Sequence, residues 1–304
     1  MTYDVLVLCG VGVDTIVRVP DLAIPPGDNL HVDPVRDYVA HSGNGVALGF
    51  HALGLRTKFI DFLGDDPQGA QILARYAAAG LDFAHLPAPN GTPRSVNLVD
   101  AAGRRFSFFD PRHPADLVLP PDAYLPALAQ SRHVHIAAGR AAAAFGEARR
   151  LGITTSTDIH AWDGTSEWGL TLSREADLVF LSAEAAPDRI DDLMHTVLDA
   201  GRATLVVATR GAAGCQVLDR ADRRIVRYPA VTPDRPVVDS NGAGDAFSTA
   251  FMSRWFAGRP VAECALAGAV SGAYACGAPG THEDLITATG LTTRLSALSP
   301  APLT

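Results

Sequence analysis

Asp245 closes the run Val238-Asp239-Ser240-Asn241-Gly242-Ala243-Gly244-Asp245 and opens a helical stretch at 245–256, with Phe247, Ala250, Phe251 and Trp255 at helical spacing. Gly242, Ala243 and Gly244 carry no bulk, so a phosphate can approach bare backbone N–H groups where that helix begins. Aligned peptide dipoles favour negative charge at the same place. A carboxylate beside a site for phosphate alone is unfavourable, because like charges repel. It is useful if Asp245 takes the proton from a hydroxyl that attacks the phosphate. The chemistry is then phosphoryl transfer, with Asp245 as general base and the N–H groups of Gly242, Ala243 and Gly244 stabilising charge on the transferred group. Taken alone, the run also reads as an ordinary helix start, with Asp245 as the cap and Gly242 and Gly244 in a turn.

The elements that must position this run alternate along the chain. Short strand-like runs at 5–8, 58–62, 133–137, 154–157, 178–181 and 205–208 are separated by helical stretches such as 45–52, 68–79, 141–150 and 190–199. That pattern predicts a mostly parallel sheet with helices on both faces. Two segments fit it poorly. Residues 15–38 hold Pro20, Pro25, Pro26 and Pro34, and residues 95–109 read as a hairpin with a turn at 100–103. Phe106, Phe108 and Phe109 place aromatics on both faces of that hairpin, which argues against a solvent-facing edge. Asp14 stands where the first strand hands over to the proline-rich segment. Its two oxygens suit vicinal hydroxyls of a sugar, and a turn-capping role is the local alternative.

Asp239-Ser240-Asn241-Gly242-Ala243-Gly244-Asp245-Ala246-Phe247 resembles the D-T-x-G-A-G-D-x-F signature of the ribokinase-like (PfkB) carbohydrate kinases. Further stretches resemble that family in its order. They are Gly10-Val11-Gly12-Val13-Asp14, Ser42-Gly43-Asn44-Gly45-Val46-Ala47-Leu48-Gly49, Gly64-Asp65-Asp66-Pro67-Gln68-Gly69 and Thr209-Arg210-Gly211-Ala212-Ala213-Gly214. The resemblance implies an α/β, ribokinase-like three-layer fold with a mostly parallel central sheet and a small β-lid. It implies one kinase domain over residues 1–304, with lid segments at about 13–40 and 94–110. The implied reaction moves the γ-phosphoryl group of ATP, accompanied by Mg2+, to a hydroxymethyl of a sugar; a nucleoside acceptor is the alternative.

The same resemblance assigns Asp14, Gly43 and Asn44 to the substrate and Thr209, Gly211 and Gly214 to the nucleotide loop. Asp239 and Asn241 fall where relatives hold a monovalent cation such as K+. The small residues of 269–280 are expected to border adenine, although in a helix they also serve tight packing. Phe106 and Phe108 could stack on a nucleobase or equally form lid core, and Arg94, Arg104 and Arg105 could clamp a phosphorylated sugar or be ordinary exposed hairpin arginines. Pairing of two chains through the lid is a further expectation.

The chain also departs from the family. Aligned through 46–49, the usual asparagine falls on Gly45, with Asn44 displaced by one. Ser182-Ala183-Glu184-Ala185 stands in place of N-x-x-E, and Asp158-Ile159-His160 in place of D-x-N. Those changes motivate a rival reading, a ligand-binding sensor without turnover; the intact Gly242-Ala243-Gly244-Asp245 speaks against it.

Bulk properties narrow the field. A net charge of −8 argues against nucleic acid or an anionic membrane as partner. No apolar run reaches the ~20 residues of a membrane span, and residues 1–8 lack a leader's basic start, so a cytoplasmic protein is expected. Lys58 is the only lysine and no P-loop glycines precede it, which excludes a P-loop kinase. Gly10 and Gly12 do not make a dinucleotide fingerprint, because Thr15 stands where the third glycine is required. The four cysteines lack C-x-x-C spacing and read as buried thiols. His133 and His135 alternate on a strand; ordinary strand positions suit them better than a metal pair.

Overall fold

The computed structural model describes residues 1–23, 26–101 and 103–298. Pro25, and Ala102 in the expected turn at 100–103, lie outside the described residues. The chain runs from β1 (Tyr3–Leu8) into β2 (Gly12–Arg18) and β3 (Arg36–Ala40), then through α1 (Ser42–Ala52), β4 (Thr57–Leu63), α2 (Pro67–Ala79) and β5 (Asp82–Pro87). The hairpin β6 (Arg94–Val99) and β7 (Arg105–Asp110) follows. Next comes the alternation α3 (Pro121–Leu128), β8 (Ser131–Ile136), α4 (Ala143–Arg150), β9 (Thr154–Asp158), α5 (Glu167–Ser173), β10 (Leu178–Ser182), α6 (Ile190–Ala200) and β11 (Leu205–Thr209). The pair β12 (Cys215–Asp219) and β13 (Ile225–Tyr228) precedes α7 (Ala243–Phe256), α8 (Val261–Ala275) and α9 (Ala288–Leu298).

Two sheets result. The larger has the order β13-β12-β11-β10-β9-β8-β1-β4-β5, parallel from β11 to β5. β12 and β13 add an antiparallel edge that periodicity does not predict. Both faces are covered. Leu6, Leu8, Val134 and Ile136 pack on Tyr124, Phe145, Leu172 and Met194 of α3 to α6. Val5, Val7 and Phe59 pack on Phe50, Tyr76, Phe251 and Met252 of α1, α2 and α7. Burial on both sides explains why these strands read as unbroken apolar runs.

The smaller sheet, in the order β3-β2-β6-β7, is built from the two segments that break the alternation. Strand order reverses about β1, which pairs with β4 on one side and β8 on the other. Side chains and loops at the carboxyl ends of such strands line the crevice of an open α/β sheet. Residues 10–14, Asp158 and Thr209 lie at those ends. Among the described residues no helix is long and apolar enough to cross a membrane.

His133 is satisfied by hydroxyls at both ring nitrogens, whereas His135 has one hydroxyl partner and its buried Nε2 has none among the described residues. His133 meets Thr154 Oγ1 and Ser156 Oγ at 2.8 and 2.7 Å, and His135 Nδ1 meets Ser156 Oγ at 2.8 Å. Burial holds both rings neutral, pushing His135 down to about 4 and His133 well below the usual imidazole range. The unfolded chain protonates them near pH ~6.5, so between there and pH ~4 it binds more protons than the folded chain. Stability therefore falls as pH drops through that window, by up to about 1.4 kcal/mol per pH unit for each ring. Urea midpoints at pH 7 and pH 5 check this. His135→Gln should show a shallower fall than the wild type, and equal slopes would refute the assignment.

Candidate active site

The sharp entry into α7 requires glycine. Gly242 has φ 76°, and a Cβ there would lie 1.9 Å from the Thr281 carbonyl oxygen. Ala243, Gly244 and Asp245 form the first turn. The Gly244 N–H has no partner within the helix, whereas the Ala243 N–H already donates to the Ser240 carbonyl at 3.3 Å. Gly244 is exposed, so the approach is open. The helix has no side-chain cap, which disposes of the capping role for Asp245. Its Oδ2 meets His282 Nε2 at 2.8 Å, and Oδ1 has no protein partner among the described residues.

His282 is a site residue that sequence reading missed. Asn44 Nδ2 donates to His282 Nδ1 at 3.0 Å and to the Val39 carbonyl at 3.0 Å. Asn44 is fully buried, so its amide supports this chain of contacts. Gly43 donates its N–H to the Gly10 carbonyl at 2.8 Å, and a Cβ there would lie 2.4 Å from that same oxygen. Gly43 and Asn44, two of the three residues assigned to substrate from sequence, thus join α1 to the turn after β1 and, through His282, to the base of α7.

Asp14 lies on the inward face of the lid. Its Oδ2 accepts from Asn97 Nδ2 at 2.8 Å, and His41 Nε2 lies 3.3 Å from Oδ1. Burial works to raise this carboxyl, and His41 with Asn97 and Ser95 outweighs it, so it stays ionised below the usual carboxylate range. His41 has φ 66°, a backbone region uncommon outside glycine. Its ring meets Phe109 edge-on at 5.5 Å.

Strand alternation separates the lid's faces. Ser107 donates to Asn97 and Phe109 meets His41, so these residues face inward with Asp14. Phe106 and Phe108 pack edge to face at 5.1 Å on the opposite side, opposite Leu98 and Val96. All three phenylalanines are exposed, Phe109 at 62%, so β7 is a solvent-facing edge and only the register separates its faces. The expectation that Phe106 and Phe108 stack on a substrate base is therefore corrected. Adjacent positions in a strand point to opposite faces, and the register gives the inward one to Phe109.

Beneath the lid lies a buried ion pair. Asp61, 1% exposed, accepts from the Val11 N–H at 2.8 Å and from the Arg140 guanidinium. Arg140 also reaches the Cys9 carbonyl at 3.3 Å, which fixes the turn between β1 and Asp14. His113 sits nearby with both ring nitrogens unpartnered, and burial followed by the Arg140 charge lowers its pKa.

Two lid arginines reach the loop before α7. Arg18 of β2 donates to Asp239 Oδ2 at 2.7 Å, and Arg105 of β7 donates to Asn241 Oδ1. Both residues assigned to a monovalent cation thus already face guanidinium groups. Arg94 lies on the neighbouring β6, while Arg104 pairs with Asp100 and Asp21.

In the segment assigned to the nucleotide from sequence, Thr209 ends β11 and the Arg210 N–H donates to the Gly214 carbonyl at 2.8 Å, closing a tight loop. Gly214 is required there, since a Cβ would lie 2.1 Å from the Tyr228 carbonyl. Glu184 is exposed, and its N–H donates to Ser182 Oγ at 3.2 Å. Asp158 ends β9; burial pushes its carboxyl up, and the charge of Asp245 adds to that. Gly268 of α8 serves packing, since a Cβ there would strike the Phe247 ring at 2.7 Å, and within 269–280 a Cβ on Gly272 would lie 3.2 Å from the Ala243 carbonyl oxygen. Arg235 covers Gly277 and lies 4.0 Å over the Tyr274 ring.

Comparison with known proteins agrees with this geometry. Residues 13–151 and 171–288 match the sequence model described as pfkB family carbohydrate kinase. The acarbose 7(IV)-phosphotransferase of Actinoplanes sp. is 47% identical over 285 residues, covering 93% of this chain and 95% of that protein. A fructokinase of Klebsiella pneumoniae is 32% identical, covering 78% of this chain and 83% of its own. Among solved structures, a microbiome-derived acarbose kinase superposes with TM-score 0.89 at 42% identity, covering 97% of this chain and 100% of that one. Giardia lamblia ribokinase, at 15% identity and TM-score 0.84 over 98% of this chain and all of its own, shares the fold. A chain matched over both halves, with an aspartate at the start of α7 beneath a β-lid, belongs to the pfkB family of carbohydrate kinases.

Proposed function

We propose that this kinase transfers the γ-phosphoryl group of ATP to a hydroxymethyl of a sugar such as acarbose, with Asp245 as general base. The observation that carries the base is the Asp245 carboxylate itself. One oxygen is held by His282, the other is free, and both stand at the opening turn of α7. The free carboxylate oxygen takes the hydroxyl proton as the acceptor's hydroxyl oxygen bonds to the γ-phosphorus, and the bond from that phosphorus to the β,γ-bridging oxygen of ATP breaks, releasing ADP. N–H groups of Gly242 and Gly244 meet the charge on the transferred group, joined by that of Ala243 when it leaves the Ser240 carbonyl, each such donor being worth about 3 kcal/mol in a dry site. Support for the acceptor class comes from the 47% and 42% identity to the two acarbose-phosphorylating proteins over nearly the whole chain.

Asp14, Asn97 and Ser107 offer the inward polar face for sugar hydroxyls. Thr209, Gly211 and Gly214 shape the nucleotide loop. No cluster of three or more metal-ligating side chains occurs among the described residues, which suits a Mg2+ ion held largely by nucleotide phosphates and water. That ion supplies charge neutralisation at the phosphates. Arg18 beside Asp239 supplies the positive charge that a K+ ion would otherwise bring there.

The test is ADP release from ATP and Mg2+ with acarbose, ribose, fructose and adenosine as acceptors, with mass spectrometry of the product. Acarbose should gain one phosphate, with the other acceptors slower. Turnover of adenosine alone would move the reading to a nucleoside kinase, a class represented at 26% identity by a protein of Methanothermobacter thermautotrophicus. ATP binding without turnover of any acceptor would favour the sensor.

A further inference from the structure

We propose that His282 is a positioning residue for Asp245, locked in a single neutral tautomer by Asn44; the inference rests on Asp245 being the general base. Asn44 has two N–H bonds to give. One goes to the Val39 carbonyl and the other to His282 Nδ1, each at 3.0 Å. A carbonyl can only accept, so the Val39 contact fixes the orientation of the amide, and Nδ1 must then be the bare, accepting nitrogen. The ring proton therefore sits on Nε2, which faces Asp245 Oδ2 at 2.8 Å. Held this way, the carboxylate cannot rotate freely, and Oδ1 is the oxygen presented to the acceptor hydroxyl.

The surroundings are shaped for this ring. A Cβ on Gly45 would lie 2.2 Å from His282 Nε2, and one on Gly242 would lie 2.6 Å from Cδ2. Gly45 is also the position where the resemblance to the family places an asparagine. Its missing side chain leaves volume that the imidazole occupies from the far end of the chain. The backbone beneath is anchored as well. Arg75 of α2 donates to the His282 carbonyl and pairs with Glu283, while Thr281 Oγ1 donates to the Val39 carbonyl at 3.2 Å. The His282 side chain is 3% exposed, and Asp245 is the charged group its ring touches.

A histidine kept only for packing would be replaceable by an apolar side chain of similar size. A positioning histidine needs its Nε2–H. His282→Leu should lower kcat about 10²-fold, the cost of a base displaced by about 1 Å, with ATP affinity unchanged. His282→Gln, which can present an amide N–H to the same oxygen, should recover most of that loss. In an Asp245→Asn background, His282→Leu should cost nothing further, because both act through one group. On the unaltered protein, 15N correlation spectra of His282 should show a protonated Nε2 and a bare Nδ1.

A neutral Nδ1–H tautomer, or His282→Leu with wild-type kcat while Asp245→Asn is inactive, would overturn the positioning role alone. Full activity of Asp245→Asn would overturn the base, and this inference with it.

Discussion

Asparagine in place of Asp245 is expected to lower turnover by a factor of about 10²–10⁴ while leaving ATP affinity intact. The substitution is nearly isosteric. Its carbonyl oxygen can still accept from His282 Nε2, so the side chain keeps its place at the start of α7. What it cannot do is take a proton. The N–H groups of the first helical turn remain, and residual catalysis should come from them and from the proximity of the bound substrates. Coupled ADP release measures kcat, and calorimetric titration with ATP measures binding. A variant retaining more than about a tenth of wild-type turnover would mean that another group, or solvent, removes the proton.

The second large effect falls on stability. Arg140→Met leaves the Asp61 carboxylate buried without its guanidinium and should cost about 3–5 kcal/mol. Against a total stability of roughly 5–15 kcal/mol, that is a substantial part of what holds the fold. The urea midpoint should fall with little change in slope. Adding Asp61→Asn to the same protein should recover much of the loss, since no charge is then stranded, and the asparagine oxygen can still accept from the Val11 N–H. Failure of the double variant to recover would place the cost in lost packing of the arginine stem. The pair also fixes the turn between β1 and Asp14, so substrate affinity should weaken in the single variant before the protein unfolds.

Much of the fold was legible because its information is local. The alternation of apolar runs and helical stretches predicts the parallel sheet. Strands at 57–63, 154–158, 178–182 and 205–209 follow the predicted runs within a residue or two. The Gly242-Ala243-Gly244-Asp245 turn is likewise contiguous: a left-handed glycine, two small residues and a carboxylate specify a helix start open to an anion. The two segments that break the alternation were recognisable as exceptions by the same logic, since hairpin chemistry and proline spacing are short-range signals, and the resemblance to the family made them a lid.

What surrounds Asp245 was not legible. His282 lies 37 residues from it and 238 from Asn44, in a stretch without helix or strand periodicity. Arg18 and Asp239 are 221 residues apart, and Arg140 and Asp61 are 79 apart. No local pattern links such partners, because each pairing exists only after the sheet order has brought α1, the lid and α7 to one end of the strands. The aromatic lid strand makes the same point on a smaller scale. Its sequence states that Phe106 and Phe108 share one side and Phe109 the other, but the side facing Asp14 is set by the register of β7 on β6. Sequence alone determined the elements, the glycine-rich turn that opens α7 and its carboxylate, since backbone preference and side-chain spacing act over a few residues. Tertiary structure decided which groups hold that carboxylate and which face of the lid carries Asp14, since those contacts are made between elements distant in the chain.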